Sequence, residues 1–516
     1  MSRARPRYLI GTAVLACTAL LAATAAARPT VTGHSFATPL RVDQANAPLS
    51  MNPNIDSQRS SIRVIQMVTE PATKSVRQPD GKYKPKPWLV TGWKQINPLT
   101  WRFAVRRGVK FSNGEVLSAY AFQSTWDQMI SYPGGKLPFL LGAIKDVKAH
   151  TKYSFDVTTT APNLVGTPDA MTYFFVLPPR YLAQVGPTEF GQHPIGTGPY
   201  TVSAFQKGVS VTLQANPTYW GGKAKIQQVT IRGVADAATR VSDLVSGAAD
   251  LIENVPPVLI SRVTSSSGYE ARSTPTTVAF FTMFQVNKPP FNRPLVRKAF
   301  NYAINRDVIR KNLFRGYAAP LTQFWVPEVI GYKPGYNPYP YNPTKAKQLL
   351  AQAGYPDGVA IDLYYTIGSF LLDQEVAEAM QNQLEAVGFK VTMHGGSYSP
   401  IAAQFRTGTV AGAFLNDYSP LTSDLDLILR VYFSKDSLYG KDVVSNLVDA
   451  LAKKAASVTD PKKRYAMYTQ IQNVALGKQS LVVPLYRQVD VWGANKKLNW
   501  KPQTNQFYDL QDAFWK

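Results

Sequence analysis

Helix-period and strand-period segments alternate through the second half of this 516-residue chain, often with a glycine between them. Asn342-Pro343 opens a helix that ends at Gly354. Residues 373–387 form another, stopped by Gly388, and a strand-like run at 389–393 follows directly. Asp460-Pro461 caps a last long helix that closes near Gly477, ahead of a strand-like run at 481–486. Asn292 is placed to cap a helix with Pro294 in its first turn, where Val296, Ala299, Phe300, Ala303 and Ile304 form one apolar stripe. Pro just inside a helix start and Gly just past its end are boundary signals with a backbone cause. Strands separated by helices in this way imply an α/β fold. A chain of this length exceeds one core, so two α/β lobes are expected.

The first half mixes the same signals. Residues 40–43 read as a short strand, and residues 60–70 show helical spacing. Pro79-Asp80-Gly81 and Asn113-Gly114 mark tight turns. Residues 100–110 alternate, with Trp101, Phe103 and Val105 on one face. Residues 118–130 read as a helix, 208–214 and 227–233 as strands, and 236–247 as a helix that ends on Gly247.

Residues 1–27 have the layout of a signal peptide: basic 2–7, apolar and uncharged 8–23, then small residues with Ala25 and Ala27 before a cleavage point at Arg28. The apolar run is too short for an ordinary membrane span of about 20 residues. Residues 28–37 then read as a tether. Val14-Leu15-Ala16-Cys17 also resembles a lipoprotein box, in which Cys17 becomes the acylated N-terminus; both routes place the mature chain outside the cytoplasm. Cys17 is the one cysteine, so a disulfide framework, a thiolate metal site and a cysteine nucleophile are excluded from the folded part. His34, His150, His193 and His394 are scattered, and no hydrolase or metalloprotease motif accompanies them. An enzyme is therefore not expected; a secreted hydrolase is the distant alternative. The formal net charge is +23, with Lys and Arg spread along the chain rather than clustered. That distribution argues against nucleic acid and suits a protein held near an anionic membrane or wall.

Residues 89–129 carry Trp93, Thr100, Trp101, Phe103, Arg107, Gly108, Val109, Lys110, Phe111, Asn113 and Gly114 in a spacing that resembles the signature of the family 5 extracellular solute-binding proteins. Tyr120 departs from it where that family usually has Asp. Further matches follow in order: residues 194–200 (PIGTGPY), Asn216-Pro217 with Tyr219-Trp220, Leu244 with Gly247 and Asp250, Pro290-Phe291-Asn292, residues 303–306 (AINR), and Ala353-Gly354-Tyr355. Gly196-Thr197-Gly198 is not a phosphate loop, because Pro199 lacks the amide donor such a loop needs.

The resemblance implies a two-lobe periplasmic-binding-protein (Venus flytrap) fold with an extra subdomain inserted in the first lobe. The expected division is 38–72, 205–283 and 496–516 for the first lobe, 73–204 for the insert, and 284–495 for the second lobe. It also implies the binding component of an ABC importer, capturing a di- or oligopeptide and handing it to a membrane permease whose ATPase does the hydrolysis. The protein is expected to be a monomer without cofactor or metal. Nickel chelate, haem, oligosaccharide and opine ligands are the alternatives within the family. By position in the family, Asp417, in Asn416-Asp417-Tyr418-Ser419-Pro420, is the expected partner of a ligand ammonium, with Asp424 and Asp426 as neighbours able to take that role. Tyr398, Phe414, Tyr418, Trp325 and Tyr486 are the aromatic candidates, and Ser57 and Gln58 lie where the first lobe pairs with a ligand backbone.

Overall fold

The computed structural model describes residues 38–132, 141, 144–160, 162, 166–419, 424–435, 439, 445–458 and 460–516. The proposed signal peptide, the tether, Cys17, His34 and Pro420 lie outside the described residues.

Two long strands organise the molecule. Tyr269–Phe284 and Val482–Asn495 pair antiparallel along most of their length. On one side of them lie, in order, Ala413–Tyr418, Val359–Thr366 and Phe389–Gly396. On the other lie Leu251–Ile252, Leu40–Gln44, Gln228–Gly233, Ser210–Ala215 and Tyr200–Gln206. Each side has its own parallel pairs: Val359–Thr366 with both of its neighbours, and Leu40–Gln44 with both of its own. Helices such as Asp373–Glu385 and Tyr398–Thr407 supply the crossovers that parallel pairing requires. The result is two α/β lobes sharing one sheet, each with a separate apolar core.

The insert builds a third core on a four-stranded sheet ordered Val90–Asn97, Thr100–Val105, Ser154–Thr159, Ile144–Thr151. Trp101, Phe103 and Val105 face inward, and the Phe103, Phe155 and Phe122 rings stack at 5.2 and 4.3 Å. The PIGTGPY segment is a packing device. A Cβ on Gly196 would lie 1.8 Å from the Val68 carbonyl oxygen, and one on Gly198 would lie 2.4 Å from that of Met67. The close approach lets Gly198 N and Tyr200 N donate to those carbonyls and lets Thr197 reach Glu70.

The two long strands change register between Pro275 and Ala279, where the lobes meet. Arg487 fills this junction: it donates to the Thr276 and Pro275 carbonyls and, at 2.7 Å, to Glu328. Three boundaries differ from the sequence reading. The helix expected over 60–70 closes at Ile65. The helix at Pro294 is capped by the Arg293 backbone, because Asn292 lies outside it. The strand expected to end at 486 runs to Asn495, so Val491, Trp492 and Ala494 pack with the first-lobe cores.

Candidate functional site

Asp417 sits directly opposite Phe280, and Phe280 directly opposite Tyr486, on three adjacent strands. Residues paired across a sheet share a face, so all three project to the same side. Phe280 stacks on Tyr486 at 4.7 Å and meets the edge of Phe370 at 5.2 Å. Tyr398 crosses Phe370 at 6.2 Å, and its hydroxyl lies 3.1 Å from that of Tyr439. Tyr439 stacks on Tyr432, whose hydroxyl donates to the Asp417 carbonyl at 3.2 Å.

The Asp417 carboxylate is half-buried beside this aromatic wall. Among the described residues no side chain donates a hydrogen bond to it. Burial pushes its pKa up to about 6; the positive charge of Arg59 acts in the opposite direction but does not cancel the loss of water. A carboxylate without a direct partner, walled by electron-rich ring faces, suits a cation.

Arg59 comes from the other lobe, as the first residue of the helix Arg59–Ile65. Its guanidinium donates to Gln506 Oε1. Gln506 Nε2 donates to Asp490 at 2.7 Å, and Gln488 Nε2 donates to the other oxygen of Asp490 at 2.6 Å. Burial lowers the Arg59 pKa, while Tyr173, Asp417 and Asp490 act to raise it. Sequence reasoning missed Arg59, although it named its neighbours Ser57 and Gln58. A cation in the first turn of a helix runs against the helix dipole, and that was the available signal.

The other candidates fall elsewhere. Tyr398 and Tyr486 flank Asp417, and the Tyr486 hydroxyl is buried without a partner among the described residues. Strand alternation puts Phe414, Asn416 and Tyr418 on the face opposite Asp417. Phe414 packs on Phe405, Asn416 is fully buried, and Tyr418 stacks on Phe324 at 4.6 Å. Trp325 is buried, with its indole N–H on Gln472. Asp424 binds Arg464 and Tyr468, and Asp426 binds Arg430, so neither carboxylate is available as Asp417 is. Ser57 is half-buried and Gln58 exposed, at the start of the Arg59 helix. Among the described residues no group of three His, Cys, Asp or Glu is placed to hold a metal ion.

A cavity of about 550 Å³ opens within the first lobe and insert, lined by Glu70, Lys74, Trp88, Tyr173 and Phe507 among others. It takes no residue from the second lobe. The pair Arg59 and Asp417 is the better candidate, because the two charges come from different lobes, act on each other, and have no ion-pair partner among the described residues.

A family model for bacterial extracellular solute-binding proteins, family 5 Middle, matches residues 84–438. The chain belongs to this family. It is a binding component of an ABC importer, not an enzyme. The glutathione-binding protein GsiB of Salmonella choleraesuis is 29% identical over 434 residues, covering 80% of this chain and 83% of that protein. GsiB of Salmonella typhi is 28% identical over the same span and coverage. Among solved structures, DppA of Helicobacter pylori in complex with the peptide STSA aligns with a TM-score of 0.78 at 22% identity, over 93% of this chain and 98% of that one. NikA of Brucella suis in complex with Fe(III)-EDTA aligns with a TM-score of 0.82 at 22% identity, over 93% and 100%. These two likenesses carry the two-lobe fold. The family is extracellular, and among the described residues no helix is long and apolar enough to cross a membrane.

Proposed function

We propose that this solute-binding protein captures a short peptide whose α-ammonium seats on Asp417. The carrying observation is the Asp417 carboxylate, held beside the Phe280, Tyr486, Phe370 and Tyr398 rings with no donor side chain among the described residues. Similar proteins point the same way, since GsiB binds glutathione and DppA was solved with a peptide. In this reading the lobes follow the division given above with two shifts, 278–283 going to the second lobe and 491–495 to the first, and the hinge is the register change at Pro275–Ala279. Residues 1–27 export the chain as a monomer, Cys17 is the lipid anchor where the lipoprotein route is taken, and the loaded form docks on a permease with its ATPase.

The test is calorimetric titration of the mature protein with a tripeptide and with its N-acetyl form. Acetylation removes the ammonium and should weaken binding at least about tenfold. Equal affinity for both forms refutes the assignment of Asp417.

A further inference from the structure

We infer that Arg59 receives a carboxylate of the ligand, so that the site selects solutes carrying a free acid as well as an amine. The inference rests on the peptide reading above and extends it to the other end of the ligand.

The argument begins with the amide of Gln506. A guanidinium can only donate hydrogen bonds and an ionised carboxylate can only accept them. Gln506 lies between one of each, Arg59 and Asp490. Its amide therefore has one consistent orientation, Nε2 to Asp490 and Oε1 to Arg59. Asp490 is itself fixed, because its second oxygen accepts from Gln488 on the same strand. The chain Gln488–Asp490–Gln506 thus anchors Arg59 from behind through a neutral oxygen.

That anchor uses one hydrogen bond of a group with five N–H donors. Among the described residues no carboxylate forms an ion pair with Arg59. This sets Arg59 apart from Arg63 one helical turn on, which pairs with Glu253, and from Arg464 and Arg487, which pair with Asp424 and Glu328. Buried guanidinium groups are ordinarily neutralised by a partner, and here one that Gln506 positions has no carboxylate in ion-pair contact among the described residues, while Asp417 of the other lobe acts on it. The Asp417 and Arg59 charges act on each other across the lobes without touching. A ligand with an ammonium and a carboxylate neutralises both at once. A planar guanidinium is also the side chain best matched to a carboxylate, since it can offer two parallel N–H groups.

The experiment is competition read by native mass spectrometry. The mature chain is mixed with equimolar tripeptides of one sequence, half as free acids and half as C-terminal amides, all with free amines. The wild-type protein should retain the acid over the amide by about tenfold or more. Arg59→Met should bring that ratio to within about threefold of unity without lowering the thermal midpoint of the empty protein, since it removes a charge that burial disfavours. Gln506→Leu, which keeps the charge and removes its anchor, should give an intermediate ratio. A wild-type ratio near one overturns the role of Arg59 and leaves the peptide reading standing. A full preference for the acid in Arg59→Met also overturns it. Retention of neither tripeptide overturns the peptide reading and this inference with it.

Discussion

The elevated pKa of Asp417 makes the pH dependence of binding a quantitative test. A ligand ammonium binds the ionised carboxylate, and in the empty protein that carboxylate titrates at about 6. At pH 7.5 it is almost fully ionised; at pH 5 only about one molecule in eleven is, so affinity should fall roughly tenfold, or about 1.4 kcal/mol. Above pH 8 affinity should fall again, as the peptide amine, with a pKa of about 7.7–8.0, loses its proton. The profile is therefore a bell with its acid limb set by Asp417. Calorimetric titration of a tripeptide at pH 5.0, 6.0 and 7.5 measures it. Repeating the pH 6.0 titration in two buffers of different ionisation enthalpy counts the proton released by the carboxylate, about half per site. Asp417→Asn should abolish the acid limb and cost about 2–5 kcal/mol of affinity on the plateau. The same substitution has the opposite effect on the empty protein. A carboxyl whose folded pKa lies above its unfolded value contributes most to stability at low pH, and loses that contribution as pH rises through about 6. Asp417→Asn should thus raise the melting temperature of the empty chain at pH 7.5 and leave it nearly unchanged at pH 3.5. An affinity that stays flat from pH 7.5 to 5, or an acid limb that persists in Asp417→Asn, refutes the reasoning.

Two further outcomes follow from contacts away from Asp417. Lys82, at the turn of the hairpin formed by Thr73–Arg77 and Tyr83–Pro87, donates across to the carbonyls of Val329 at 3.1 Å and Pro327 at 3.4 Å in the second lobe. Lys82→Met removes a contact that only approached lobes can make, and calorimetry should find affinity weakened about two- to tenfold with the pH midpoint unmoved; unchanged affinity would show that the contact is not coupled to binding. Glu70 is buried and accepts from Trp88, Thr197, Tyr219 and Trp220 at 2.6–2.8 Å. Glu70→Gln sets an NH2 group against those donors and should cost about 2–4 kcal/mol in urea unfolding; a loss below about 0.5 kcal/mol would mean that the network is dispensable.

Much of the scaffold was legible because its signals are local. Asn342 and Asp460 cap their helices with their own side chains, and Gly247 ends its helix at φ 81°, as the spacing implied. Asn292 failed as a cap because the residue that enters the helix is Arg293, whose guanidinium donates to Ala353 O and lies over the Tyr355 ring at 5.2 Å. The long strand was cut short at 486 for an instructive reason. Arg487, Gln488 and Asp490 interrupt its apolar pattern where the strand passes from one lobe to the other: Arg487 donates to Glu328 and to the Thr276 carbonyl, and Asp490 accepts from Gln488 and Gln506. Arg59 was invisible for a related reason. Its anchor lies 447 residues away, and no local pattern links a short polar segment to a glutamine near the C-terminus.

The placement of the two charges bears on how the protein would respond to ligand. A contact made wholly within one lobe stabilises open and closed forms equally and shifts nothing between them. Asp417 alone would therefore give affinity without closure. Moving a two-state equilibrium from 1:99 to 99:1 takes about 5.5 kcal/mol of differential binding, more than one charge-assisted contact supplies. A ligand that reaches Asp417 with its amine and Arg59 with its acid makes the second contact only when the lobes approach. That second contact, together with cross-lobe bonds such as those of Lys82, is differential by construction. An amidated peptide should then bind more weakly and also leave more of the protein open, a coupling that small-angle scattering of the two complexes at saturation measures directly.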